Sequence, residues 1–136
     1  MSKRKTKRTD PACCPPKPAV DERPLIVARQ AADLAGIFKV FSNETRLRLL
    51  HALVRSGELR VTDLAKAVGM KPQAISNQLQ RLAERGIVEH RRNGNNLLYR
   101  ITDPCVPALL DQGLCLHRGR GGSQRSRGEG VRWRIQ

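Results

Sequence analysis

Two sets of side chains in this chain have the types and spacing to do chemistry. The first lies in PQAISNQLQRLAERG, where Ile75, Leu79 and Leu82 recur at i, i+4 and i+7 and so share the inward face of a helix. That period turns Gln73, Asn77, Gln80, Arg81 and Glu84 outward. Amides and an arginine are the side chains that pair with base edges, Asn and Gln with adenine and Arg with guanine. The second set is the cysteines: a vicinal pair, Cys13 and Cys14, and two more at Cys105 and Cys115. Thiolates are soft donors that favour thiophilic ions over hard ones. Adjacent thiols suit a large ion that accepts few ligands, arsenic(III) above all.

The elements that position the first set read as a helix-turn-helix and a wing. VTDLAKAVGM forms a short helix ending at Gly69, and the next helix begins at Pro72, where a missing N–H costs nothing. After Gly86 the period changes: IVEH, RRNGNN and LLYRI read as strand, turn and strand, with Asn93-Gly94 supplying the turn. Arg91 and Arg92 are then expected at the hairpin tip, where with Asn95 they can meet phosphate. Upstream, helical pattern is expected from Asp21 or Pro24 through LIVARQAADLAGIFKVF, with Ala28, Ala31, Ala32 and Ala35 allowing close approach of another helix. Ser42-Asn43 offers an N-cap to ETRLRLLHALVRSG, which should bury Leu47, Leu50 and Val54, with His51 on the same side as a core histidine. Glu58–Arg60 reads as a short extended piece, and a last helix should run from Asp103 or Pro104 to about His117.

The organisation expected is a basic, Pro-rich disordered arm over residues 1–20, a winged helix-turn-helix domain over 21–117 and a disordered Arg/Gly-rich tail over 118–136. Net charge is +14 on 136 residues, divided as +4 over residues 1–10, +5 over 11–117 and +5 over 118–136. Such a chain expects a polyanion, and double-stranded nucleic acid comes first. Aromatic residues are few (Phe38, Phe41, Tyr99, Trp133), which disfavours base stacking on single strands. No apolar run approaches the roughly 20 residues that span a bilayer, and the basic N-terminus lacks the apolar stretch of a signal peptide. A cytoplasmic chain with no membrane partner is expected, its thiols reduced and available as sensors, ligands or small core groups. No Ser/His/Asp set or phosphate-binding glycine loop is present, and Cys115 and His117, at i and i+2, do not face each other on a helix. An enzyme is not expected.

The stretches FKVFSNETRLRLLHAL, GELRVTDLAKAVGMKPQAISNQLQRLAERGIV and RRNGNNLLYRI resemble the ArsR/SmtB family of bacterial winged-helix repressors over residues 25–117. The resemblance implies a mainly α fold with a small β-hairpin. It implies a homodimer held by the first and last helices on a palindromic operator, released when a metal or metalloid ion binds. It also carries DNA contact to Lys71, Gln73, Ser76, Asn77 and Gln80, with no cofactor required for binding itself.

The ligand positions depart from the family pattern. Many relatives read ELCVCDLA where this chain reads GELRVTDLA, so Arg60 and Thr62 replace two thiols and that site is absent. Others begin the last helix with Asp-x-His; here Asp103 and Cys105 stand there, with Cys115 and His117 downstream. Cys105 and Cys115 are about 15 Å apart along one helix, too far to share an ion within a chain. Cys105 of one protomer could instead face Cys115 of its partner if the last helices cross antiparallel. About ten residues separate Cys14 from the first helix, a reach of about 30 Å, so Cys13 and Cys14 can join Cys105 or Cys115 in a trigonal site. The expected inducers are As(III), Cd, Pb or Zn, with Asp103 and His117 as accessory ligands. Three alternatives stay open: packing of Cys105 and Cys115 as inert groups, a redox- or persulfide-responsive thiol switch, and an architectural DNA binder with no effector.

Overall fold

The computed structural model describes residues 14–122. Cys13, the basic residues of the arm before it and the tail beyond 122 lie outside the described residues. Helix α1 spans Ala28–Phe41, starting later than the Asp21 or Pro24 expected from sequence. Pro24 holds Arg23 extended at φ −87°, ψ 153°, so only a single 3-10 turn forms at Val20–Glu22. The helix begins where the Gln30 side-chain oxygen accepts the Val27 N–H at 3.0 Å. Phe41 is its one buried residue.

Helix α2 (Glu44–Ser56) is capped by Asn43, whose side-chain oxygen accepts the Arg46 N–H at 3.0 Å. It buries Leu49, Leu50 and Leu53. Of the stripe expected inside, only Leu50 is; Leu47 and Val54 are 38% and 39% exposed, and His51 is exposed rather than in the core. Two adjacent stripes compete on this helix. The 49-50-53 stripe is covered by α3 and the sheet, whereas Leu47 and His51 face a groove walled by Phe38, Leu110 and Leu114.

Strand β1 (Leu59–Arg60) leads into α3 (Val61–Val68), which ends in a left-handed Gly69 at φ 70°, ψ 39°. The Gly69 and Met70 N–H groups both donate to the Ala65 carbonyl, and the reversal sends the chain into α4 (Pro72–Glu84) with proline in its first turn. Arg48 from α2 donates to the Val68 carbonyl at 3.2 Å, tying down the open end of α3.

Strands β2 (Val88–Asn93) and β3 (Asn96–Ile101) complete a sheet ordered β1-β3-β2, antiparallel throughout. Asn93 pairs with Asn96, so the loop is Gly94-Asn95, one residue later than the Asn93-Gly94 expected. Gly94 takes φ 69°, as the first position of a two-residue hairpin loop requires. Helix α5 (Cys105–Gly122) starts where the Asp103 carboxylate accepts the Cys105 N–H at 2.9 Å. It outlasts the His117 end expected. Leu114 and Leu116 are already exposed, so packing does not set that end.

The core gathers α2, α3, α4, the sheet and Val106 of α5, with Leu49, Leu50, Leu64, Ile75, Leu79 and Leu82 wholly excluded from solvent. Leu79→Ala is expected to lower unfolding free energy by about 2–5 kcal/mol in urea denaturation. A loss well under 1 kcal/mol would mean that α4 does not depend on this packing.

Candidate nucleic-acid interface and thiol site

Burial of Ile75, Leu79 and Leu82 fixes which side of α4 meets solvent. Lys71, Gln73, Asn77, Gln80 and Arg81 are exposed and Ser76 is half-buried, so the residues expected to read DNA do share the outer face. Gln73 Nε2 donates to Asn77 Oδ1 at 3.2 Å, one turn along that face. Gln78 turns the other way and accepts from Arg46 Nε at 2.7 Å, while Arg46 Nη1 donates to the Val40 carbonyl at 2.9 Å. One arginine thereby fixes α4 against α2 and the end of α1. The first turn of α4 has no side-chain cap, leaving its amides and dipole open to an anion.

The wing is organised differently from the sequence expectation. Arg91 and Arg92 lie within β2, opposite Leu98 and Leu97, and the tip belongs to Gly94-Asn95. Arg91 is engaged with Glu58, Nε to Oε2 at 2.7 Å and Nη2 to Oε1 at 3.0 Å. Sequence reading missed Glu58, because the two residues are 33 apart and meet only through the sheet register. Arg100 pairs with Glu89 through Nε at 2.7 Å, and Arg60 with Asp63 through two hydrogen bonds of 3.0 Å. The hydrogen bond from Arg91 holds the Glu58 carboxyl below its usual range, and that from Arg60 does the same to Asp63. Arg92 has no ion pair among the described residues. His90 lies on the wing in contact with Tyr99, ring centroids 5.2 Å apart.

Two of the thiols meet at the start of α5. Cys14 Sγ lies 3.5 Å from Cys105 Sγ, both half-buried, although 91 residues separate them in sequence. Asp103 caps the helix that opens with Cys105 and so positions its thiol. Cys115 and His117 are exposed further along α5, and His117 lines the groove beside Phe38 and His51 instead. The structure thus brings Cys14 to Cys105 but not Cys115 or His117. Among the described residues no three Cys, His, Asp or Glu side chains surround a common point. Cys105 also borders a cavity of about 700 Å³ between α1 and α5, whose far wall is Arg85 and Gly86 at the end of α4. Arg85 Nη2 donates across to the Gly36 carbonyl of α1 at 3.3 Å. Cys105 and the residues that follow α4 therefore border one space.

A helix with an outward amide face, preceded by a tight turn and followed by a basic hairpin, defines a DNA-binding winged helix-turn-helix domain. Comparison with known proteins agrees. A sequence profile of the MarR family matches residues 43–96, from the cap of α2 to the start of β3. The crystal structure of the AntR antimony-specific transcriptional repressor is 57% identical, covers 81% of this chain and 99% of that one, and superposes with a TM-score of 0.70. NmtR, a helix-turn-helix transcriptional regulator of Mycobacterium tuberculosis, is 38% identical over 64% of this chain and 72% of its own. The homodimeric winged helix-turn-helix domain of Mb0332 from Mycobacterium bovis, a possible ArsR-family regulator, is 31% identical, covering 75% of this chain and 96% of that one, with a TM-score of 0.64. The chain belongs to the ArsR/SmtB family of winged-helix transcriptional repressors. No helix among the described residues is long and apolar enough to cross a membrane.

Proposed function

We propose that this protein is a cytoplasmic repressor released from a palindromic operator by a thiophilic ion, trivalent antimony or arsenic first, bound by Cys14 and Cys105 with Cys13. The observation that carries this reading is the 3.5 Å approach of Cys14 Sγ to Cys105 Sγ. That spacing suits two thiolates sharing one ion through bonds of about 2.3 Å. Cys13, adjacent in sequence, supplies a third donor, and an all-sulfur set prefers soft ions, among which cadmium and lead follow and zinc comes last. The antimony specificity stated for AntR points the same way. Binding would tie the arm to the start of α5.

The active form is a homodimer joined through α1 and α5. Leu34, Ile37, Phe38 and Leu114 are 42–48% exposed along these helices, a large apolar area for a lone domain. A two-fold dimer presents two α4 helices to half-sites one helical turn apart. Lys71, Gln73, Ser76, Asn77, Gln80 and Arg81 meet the major groove, with Arg91, Arg92 and Asn95 on the flanking backbone. Ion binding then favours a dimer geometry in which both helices no longer fit together.

The same thiol spacing favours a second reading, in which an oxidant joins Cys14 and Cys105 in a disulfide and shifts the same equilibrium. Fluorescence anisotropy on the operator separates the two. Under strict reduction, antimonite or arsenite is expected to release the DNA, with cadmium, lead and zinc titrated beside them. Binding indifferent to every ion, but lost on oxidation and restored by reductant, would establish the thiol switch instead.

A further inference from the structure

We propose that Glu58 is a specificity-determining residue for DNA binding: it occupies Arg91 in the free protein, so that the wing engages phosphate only when the operator seats the whole domain. The pair is a bidentate fork, Arg91 Nε and Nη2 on the two oxygens of Glu58 at 2.7 and 3.0 Å. It spans the sheet. Arg60 of β1 and Arg91 of β2 both stand opposite Leu98 of the central strand, and Glu58, two residues before Arg60, shares their face. Arg100 pairs with Glu89 on that same face, and Arg60 with Asp63. Each of the three arginines thus has its own carboxylate, the reverse of what raw affinity for a polyanion would build. Arg92 is next along β2 and faces the other way.

The pair stays open to exchange. The Arg91 side chain is 59% exposed and that of Glu58 29%, so a phosphate oxygen can approach the guanidinium from solvent. Exposed pairs of this kind are weak, so the carboxylate competes with phosphate without locking it out. On unrelated DNA, where α4 makes no base contacts, nothing holds the wing against the backbone and Glu58 keeps Arg91. On the operator, α4 seated in the groove keeps phosphate beside Arg91, and the exchange follows. Glu58 therefore disfavours non-specific complexes more than specific ones. This inference requires only that the domain binds DNA and is independent of the inducer.

The test is Glu58→Gln in the full chain, nearly isosteric at an exposed position. Anisotropy is read on an operator duplex and a scrambled duplex of equal length across a salt series. The variant is expected to bind scrambled DNA about three- to tenfold more tightly, with the log–log salt slope steeper by about one ion. Operator affinity should rise less, so the specificity ratio falls. In an Arg91→Ala background the same change should have no effect on slope or ratio, because the cation it frees is gone. Unchanged slope and ratio in Glu58→Gln alone, or equal weakening on both duplexes with a lower Tm, would overturn the proposal and leave the pair as a strap on the sheet.

Discussion

Cys105→Ser is expected to stay on its operator at antimonite or arsenite concentrations that release the native protein. Serine keeps the size of the side chain and the helix start, since the capping bond is donated by the backbone N–H of residue 105 to the Asp103 carboxylate. What it removes is a soft donor, and a hydroxyl does not replace a thiolate toward such ions. Couplings between an effector site and a distant ligand are typically about 1–3 kcal/mol, so release weakens DNA binding about 5–150-fold, and the variant should lose all of that factor. Affinity for DNA without ion should be unchanged. Cys14→Ser should behave alike, and Cys115→Ser, altering an exposed position ten residues on, should respond like the native chain. Thiolate–ion absorption read beside anisotropy separates loss of binding from loss of coupling. Normal release by Cys105→Ser would remove Cys105 from the ligand set, and loss of release in Cys115→Ser would bring Cys115 into it.

The helix-turn-helix was legible because its signals are local and agree. Gly69, Pro72 and the spacing of Ile75, Leu79 and Leu82 lie within fourteen residues and give one answer. In α2 the residues 47, 51 and 54 also keep a helical spacing, but periodicity cannot tell a stripe covered by the same chain from one left facing a groove. That choice is made by α3 and the sheet, and it puts Leu49 and Leu53 inside where Leu47, His51 and Val54 were expected. The wing shows a similar limit. A basic run beside a turn reads as a tip, yet one residue of register moved the loop to Gly94-Asn95 and placed Arg91 over Leu98, within reach of Glu58. At the thiols, chain length alone allowed Cys14 to reach either Cys105 or Cys115. Its place beside Cys105, with Lys17 and Val20 of the same segment bordering the cavity between α1 and α5, is a tertiary fact with no local signature.

Asn77→Ala tests whether the outer face of α4 reads bases, and its expected effect is on discrimination. A bidentate amide–base pair is typically worth about 1–3 kcal/mol against the wrong base, so the operator-to-scrambled affinity ratio should fall about 5–150-fold. The change removes no charge, so binding to scrambled DNA and its salt slope should stay as they are. Gln73→Ala should act in the same sense. The two should not add, because Gln73 Nε2 donates to Asn77 Oδ1 at 3.2 Å and each amide orients the other. After the first substitution the second should therefore cost less than it does alone. Asn77 already packs nothing into the core, so Tm should hold in both single variants. Equal weakening on operator and scrambled duplexes would assign Asn77 to the phosphate backbone and leave base reading to Gln80 and Arg81.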